Sequence, residues 1–539
     1  MKPRAETALA AALFLLLLWL VLAPAASVLV AGADSRALAR VLSGTPILFN
    51  TLLVGACTMA GALMLGGALA LVLVRIDTPG RSVLEPLVLL PFYITPLLTA
   101  IAWSWLGSPK SGLLNLAAGR SLIDMHTPAG VVFVATLSYA PLPFLLIAGA
   151  LRAMDPALEE SARVHGGSAR LAFRRVTLPL VLPAALGASV LVFVQAMGLF
   201  SIPAVLGMPA GFSVAGTEIY RLLNTYPPRL AQAAAWGLVL LVVTAGLVWL
   251  QEWFLNRRSY VTITGKAFRP RLVHVGRARW ALAAFGWLYV FLAVILPVLA
   301  LIWAALVNFV STDTGLMQFG LQHFRYVLFT YPKTELAARN SLMLAVLAAT
   351  AIGVLSLGIG WIAVRRRGLG ARVIEQLAMA PLAIPSIVLA LGILWTYAGL
   401  DILPIYGTAG VLLVAYVAHF LPLGTRAMAA AMRQLHPELE DSARVCGAGL
   451  LRTLRRVVIP LTRPSLAAVW TLVFVLALQE VSASILLYTS RSTVLAVAIF
   501  DLWEAGNVNA LAALGVLQLG VTFLALLALA GLRQRAVAA

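Results

Sequence analysis

The sequence predicts an all-α polytopic membrane protein of about twelve transmembrane helices, arranged as two six-helix halves in parallel repeat. Composition, the length of the apolar runs and an internal repeat predict it. Of 539 residues, 62% are hydrophobic and 11% charged, with a mean hydropathy of +0.97; soluble domains carry about 25% charged residues. Backbone in lipid must satisfy its own hydrogen bonds, which leaves helices and closed barrels. Apolar runs near 20 residues suit helices, whereas a barrel uses alternating strands of about 10.

The spans read along the chain as residues 8–31, 50–74, 84–106, 129–151, 180–204, 232–255, 280–307, 340–364, 373–399, 409–431, 461–488 and 509–532. The first has the look of a secretory signal, with Lys2 and Arg4 before the apolar run and Ala25-Ala26 after it. A repeat partner for this span argues that it is retained as structure.

That partner is the seventh span, because Ala8-Leu9-Ala10-Ala11 through Pro24 recurs as Ala281-Leu282-Ala283-Ala284 through Pro297. Asn50-Thr51-Leu52 recurs as Asn340-Ser341-Leu342, Gly80, Glu85 and Pro91 as Gly370, Glu375 and Pro381, and Pro141 as Pro422. An even number of spans per copy makes both copies enter the membrane in one direction. The expected organisation is a first half at 1–255, a basic linker at 256–279 and a second half at 280–539.

The net charge of +19 raises the question of nucleic acid, which the placement of the charges answers. With the N-terminus inside, most Lys and Arg fall in segments on the cytoplasmic side, and both termini are expected there. The largest cluster, Arg257, Arg258, Lys266, Arg269, Arg271, Arg277 and Arg279, suits anionic lipid headgroups, so no nucleic-acid partner is needed. Cys57 and Cys446 fall in a span and a loop, with no disulfide or metal-ligand spacing between them.

The densest polar repeat lies between the fourth and fifth span of each half. Leu158-Glu159-Glu160-Ser161-Ala162-Arg163-Val164-His165-Gly166 recurs as Leu439-Glu440-Asp441-Ser442-Ala443-Arg444-Val445-Cys446-Gly447. Asp155-Pro156 reads as an N-cap with proline at the first helical position, and Gly166 or Gly447 as the left-handed residue that ends the helix. A second short helix then carries Arg170, Arg174 and Arg175 up to Pro179, giving a helix-turn-helix on the cytoplasmic face. Leu158, Ala162 and Val164 offer a small apolar knob, worth roughly 1.5–3 kcal/mol for each large side chain a partner buries. Glu160 or Asp441 offers a carboxylate that a partner arginine could grip in bidentate fashion.

These loops resemble those of binding-protein-dependent ABC importer permeases, whose pattern is E-A-A, three residues, G, nine residues, then I-x-L-P. The copies here read Glu160-Ser161-Ala162, Gly166, Val176-Thr177-Leu178-Pro179 and Asp441-Ser442-Ala443, Gly447, Val457-Val458-Ile459-Pro460. Serine replaces the middle alanine in both, and aspartate replaces glutamate in the second. The resemblance implies an inner-membrane permease whose loops dock two copies of a separate cytoplasmic ATPase, and a periplasmic binding protein that delivers a small solute. Ser259-Tyr260-Val261-Thr262-Ile263-Thr264-Gly265-Lys266, the fused layout and Glu480-Val481-Ser482-Ala483-Ser484 resemble the ferric-iron branch. Relatives of this layout also carry thiamine and phosphonates.

No phosphate loop of the G-x4-G-K-[S/T] type occurs, so ATP and Mg are expected on the partner and no cofactor or metal on this chain. No nucleophile-base pair or His/Cys cluster suggests catalysis. Glu480 and His419 are polar groups inside spans, the residue type that marks a substrate path, although a helix–helix hydrogen bond is the plainer use for each. Glu85 and Glu375 are expected to pair with Arg81 and Arg372 at helical spacing. A secondary transporter of the major facilitator type is the rival architecture. Its signature would fall between spans two and three, where these copies differ.

Overall fold

A computed structural model describes residues 3–256, 272–308, 318–399 and 405–538. Of the linker's basic cluster, Arg257, Arg258, Lys266, Arg269 and Arg271 lie outside the described residues. Ten helices are long and apolar enough to cross a membrane: α1 (Glu6–Gly32), α2 (Thr45–Val74), α4 (Pro128–Ala153), α5 (Arg170–Met197), α6 (Leu230–Phe254), α7 (Ala278–Leu306), α8 (Thr334–Arg365), α10 (Ala409–Gln434), α11 (Leu450–Leu478) and α12 (Val508–Leu527). Two bent pairs bring the number to 12: α3 (Arg81–Tyr93 with Pro96–Gly107) and α9 (Leu369–Ala383 with Ser386–Ala398). Among the described residues ten of the twelve expected spans are single long apolar helices, and the third and ninth are bent pairs.

The third and ninth elements differ from the straight spans expected. The limbs of α3 meet at 96° and those of α9 at 113°. Pro96 and Pro385 cause both bends, because a residue before proline is pushed out of the helical region. Ile384 is accordingly extended, at φ −107° and ψ 116°, and Thr95 has ψ 135° while its side chain caps the new helix at the Leu97 amide.

Prolines also explain four π turns, Leu18–Leu22, Phe173–Thr177, Phe291–Ile295 and Leu454–Val458. Each is followed two residues later by a proline: Pro24, Pro179, Pro297 or Pro460. A helical proline lacks an N–H and collides with the carbonyl four residues back. That carbonyl belongs to the middle residue of each π turn, where one extra residue in the turn relieves the collision. The preceding amide instead bonds five back, as Leu178 does to Phe173 and Ile459 to Leu454.

The chain packs as two compact units. One contains Met1–Val41, Leu222–Leu238 and Gly320–Ala539; the other contains Leu42–Arg221 and Val239–Phe319. One unit therefore joins α8–α12 to α1, the other joins α2–α5 to α7, and α6 is divided between them after Leu238. In the first unit, α1 lies on the far limb of α9: Ser27 donates to the Gly392 carbonyl at 2.9 Å and Tyr397 to the Trp19 carbonyl at 3.3 Å. A Cβ on Gly392 would sit 2.3 Å from the Pro24 carbonyl oxygen, so only glycine permits this approach. In the second unit α7 does the same service, with Tyr289 donating to the Leu137 carbonyl at 3.0 Å and Trp303 edge-on to Trp105.

The repeated Asn-Thr/Ser pair at the start of the second span also acquires a structural reason. Asn50 donates to the Ser213 carbonyl, and Thr51 accepts from the Ala215 amide at 2.8 Å. Asn340 donates to the Arg491 and Thr493 carbonyls, and Ser341 accepts from Leu495 at 2.8 Å. Both pairs clamp the segment that follows the fifth span of their copy.

Candidate functional site

The repeated loops fold as their sequence predicts at the start and turn. The Asp155 carboxylate accepts from the Ala157 amide at 2.9 Å and opens the helix Pro156–Val164. Gly166 ends it at φ +80°, and the Gly167 amide returns to the Ala162 carbonyl. The helix Glu438–Val445 ends the same way, with Gly447 at φ +80° and the Ala448 amide on the Ala443 carbonyl. This six-to-one bond satisfies a carbonyl that the helix end leaves open. The expected second short helix is not separate. It runs through the π turn into α5 and α11 as one continuous element, because the turn absorbs Pro179 and Pro460.

Adjacent acids on each loop helix do opposite things, since neighbouring helical positions point about 100° apart. Glu159 turns inward, paired with Arg75 at the end of α2 and accepting from the Thr177 hydroxyl of α5. Glu440 turns inward likewise, accepting from Arg365 Nε at 2.6 Å and from Trp361 Nε1 at 2.9 Å, both on α8. It is 4% exposed. Arg365 donates as well to the Leu435 carbonyl at 2.8 Å, which fixes the approach to the loop.

Glu160 and Asp441, together with Ser161 and Ser442, lie on the exposed side. Beside them Leu158 and Leu439 are each 46% exposed, and Val164 and Val445 are 85% and 89% exposed. Gly166 and Gly447 are exposed at the turn, while Ala162 and Ala443 are half-buried. In the second copy Asp441 has an i, i+3 partner in Arg444 at 3.2 Å. Arg444 also approaches Glu6 of α1 at 3.6 Å, and Glu6 accepts from Arg366 at 3.1 Å. The second unit reverses the signs, with Asp77 approached by Arg279 at 3.5 Å and by His274 at 3.1 Å.

Glu159 and Glu440, Arg75 and Arg365, and Trp361 were missed as site residues by the sequence reading. The signal was there, because the inward acid and its arginine are identical in the two copies, whereas the outward acid changes from glutamate to aspartate. The expected pairs Glu85–Arg81 and Glu375–Arg372 give way to pairs between helices: Glu85 joins Arg152 of α4, and Glu375 approaches Arg433 of α10 at 3.9 Å. A helix-to-helix partner across the bundle outcompetes an exposed neighbour one turn away.

Glu480 and His419 fall in one neighbourhood, near enough for the carboxylate charge to reach the imidazole and Tyr416. Glu480 accepts from the Ser386 hydroxyl at 2.8 Å and the Ala483 amide at 2.9 Å, so it joins the bend of α9 to the segment after α11. Tyr416 and Ser484 share a hydrogen bond of 2.7 Å alongside. His419 packs on Phe420, and its Nδ1 is buried without a partner among the described residues. Leu199 stands at the Glu480 position of the first copy, so this polar cluster belongs to the second copy alone. Among the described residues no three His, Cys, Asp or Glu gather as a metal site.

Comparison with known proteins agrees with the duplicated loops. The chain is 27% identical over 394 residues to the ferric transport system permease protein FbpB of Actinobacillus pleuropneumoniae, and 28% identical over 373 residues to a putative ferric transport system permease, FbpB 1, of Haemophilus influenzae. These alignments cover 72% and 68% of this chain but only 56% and 57% of the relatives. A probable ABC transporter permease of Sinorhizobium fredii, y4fN, is 27% identical over 466 residues, covering 84% of this chain and 81% of its own. A bacterial ABC transporter that imports the polysaccharide alginate has a chain 23% identical, with a TM-score of 0.36 over 40% of this chain and 79% of that one. The profile of one family matches residues 62–260 and again 353–539, and the chain accordingly belongs to the binding-protein-dependent transport system inner membrane components, with the family's domain present twice.

Proposed function

We propose that this chain is the transmembrane permease subunit of an ATP-driven importer, with both termini in the cytoplasm, moving ferric iron that a periplasmic binding protein delivers. The observation that carries the reading is the paired loop: each copy is anchored by an inward-turned acid held by an arginine and presents an exposed apolar and acidic face on its other side. Such a face fits the cleft of a separate ATPase, one copy per loop. The anchor passes a push on the loop directly to α2 and α5, or to α8. ATP and Mg belong to those ATPases; this chain holds no cofactor of its own in the reaction.

The cargo assignment rests on the names of the ferric permease relatives. Relatives in Salmonella named as 2-aminoethylphosphonate permeases, 29% identical over 178 residues, favour a second reading, in which the cargo is a phosphonate. Glu480 and His419 line the route in either case.

The coupling reading predicts that the double substitution Glu160→Lys and Asp441→Lys reduces ATP-dependent uptake at least tenfold, with the chain still in the membrane. ATPase co-purification is lost with it. Uptake at the unsubstituted rate would sink the coupling assignment. For the cargo, the binding protein encoded beside this chain is expected to retain ferric iron in equilibrium dialysis; retention of phosphonate instead would replace the first reading by the second.

A further inference from the structure

One cavity in the unit built on α8–α12 is not explained by anything above. It measures about 460 Å³ and is lined by Glu375, Met379, Thr425, Arg426, Ala429 and Arg433. Arg426 makes no ion pair among the described residues, and Glu375, the only acid in the lining, stands 3.9 Å from Arg433. Thr425 is 1% exposed, and its hydroxyl has no hydrogen-bond partner among the described residues. Two guanidinium groups and an unanswered hydroxyl against one carboxylate make a site short of negative oxygen.

Its position connects it to the cluster above. His419, Arg426 and Arg433 are seven residues apart on α10, so they share one face at intervals of about 10.5 Å. Arg426 lies eight residues inside the helix end at Gln434, about 12 Å along its axis. Arg426 is exposed, and a charged residue within an apolar span faces a wet cavity or the bundle rather than lipid. The first copy has Ser138, Leu145 and Arg152 at these positions, and Arg152 is already paired with Glu85. The stripe is therefore a property of the second copy alone.

We propose that the Arg426 cavity is an oxyanion site on the cargo's route, taking a phosphate, phosphonate or carboxylate group that travels with the cargo. This rests on the importer reading and deepens it: bare ferric iron would be repelled by Arg426, whereas an iron chelated by anionic oxygen, or a phosphonate, would be held. Arginine is suited to the task because its planar fork matches such groups with two parallel hydrogen bonds.

The test uses the full chain in nanodiscs of phosphatidylcholine, with inorganic phosphate as the probe. Saturable binding near one phosphate per chain is expected, weakened at least tenfold by Arg426→Gln, less by Arg426→Lys, and unchanged by Arg36→Gln at a distant exposed site. No saturable binding, or binding indifferent to Arg426→Gln, overturns the proposal. Phosphate binding that disappears when phosphatidylglycerol is added to the disc assigns the cavity to a lipid headgroup and overturns its place on the route. In the assembled transporter, Arg426→Gln is expected to cut uptake at least tenfold while the loaded binding protein still stimulates ATP hydrolysis. Failure of iron uptake in the unsubstituted chain defeats the cargo reading but leaves the phosphate measurement intact.

Discussion

At the scale of residues, two neighbouring acids divide the labour of the loop. Glu440 is buried against Arg365 and Trp361, whereas Asp441 is exposed with a partner one turn along. Removing one member of a buried charge pair costs about 3–5 kcal/mol because the other is left unanswered, while an exposed pair is worth about 1 kcal/mol or less. Glu440→Ala is therefore expected to destabilise the loop strongly, read as faster proteolytic nicking between residues 436 and 449, and Asp441→Ala to leave that rate nearly unchanged. Equal nicking rates would contradict the division. Gly447 has nothing within 4 Å of where a Cβ would stand, so its requirement is conformational alone. At φ +80° a β-branched side chain is excluded while asparagine is tolerated. Gly447→Val is expected to lose uptake and Gly447→Asn to keep most of it, measured in the same transport assay.

At the scale of elements, the spans were legible because apolar runs of this length have few other uses, and the caps of the loop helices because Asp155-Pro156 and the two glycines have narrow backbone preferences. The bends of α3 and α9 were written in Pro96 and Pro385, yet length and hydropathy, which count apolar residues without regard to direction, read straight through them. The continuous α5 and α11 were hidden for the opposite reason: Pro179 and Pro460 read as helix starts, and the π turn that lets a helix pass through proline leaves no mark of its own. The inward role of Glu159 was hidden by its neighbour, since both acids fit a surface helix and only the position of Arg75, 84 residues away in the chain, separates them. Gly392 is the point at which an element contact is most demanding. Gly392→Val would drive its side chain into the backbone of α1 at Pro24, and α1 is expected to become accessible to protease in membranes where the native chain resists. Protection equal to the native chain would show that the contact is slack.

At the scale of the molecule, sequence repeat and packing unit are different divisions of one chain. The duplication runs half by half, but α1 packs in the unit of the second copy and α7 in the unit of the first. Residues 1–256 and 272–539 expressed as separate chains in one cell are therefore expected to purify together, and either alone to be degraded. Recovery of stable single fragments would mean that the exchanged helices add little. The exchange also sets a timetable. Ser27 meets its partner carbonyl at Gly392 across 365 residues, and synthesis at roughly 5–20 residues per second puts about 20–70 seconds between the two. For that interval α1 stands in the bilayer beside a binding surface that has not yet been made.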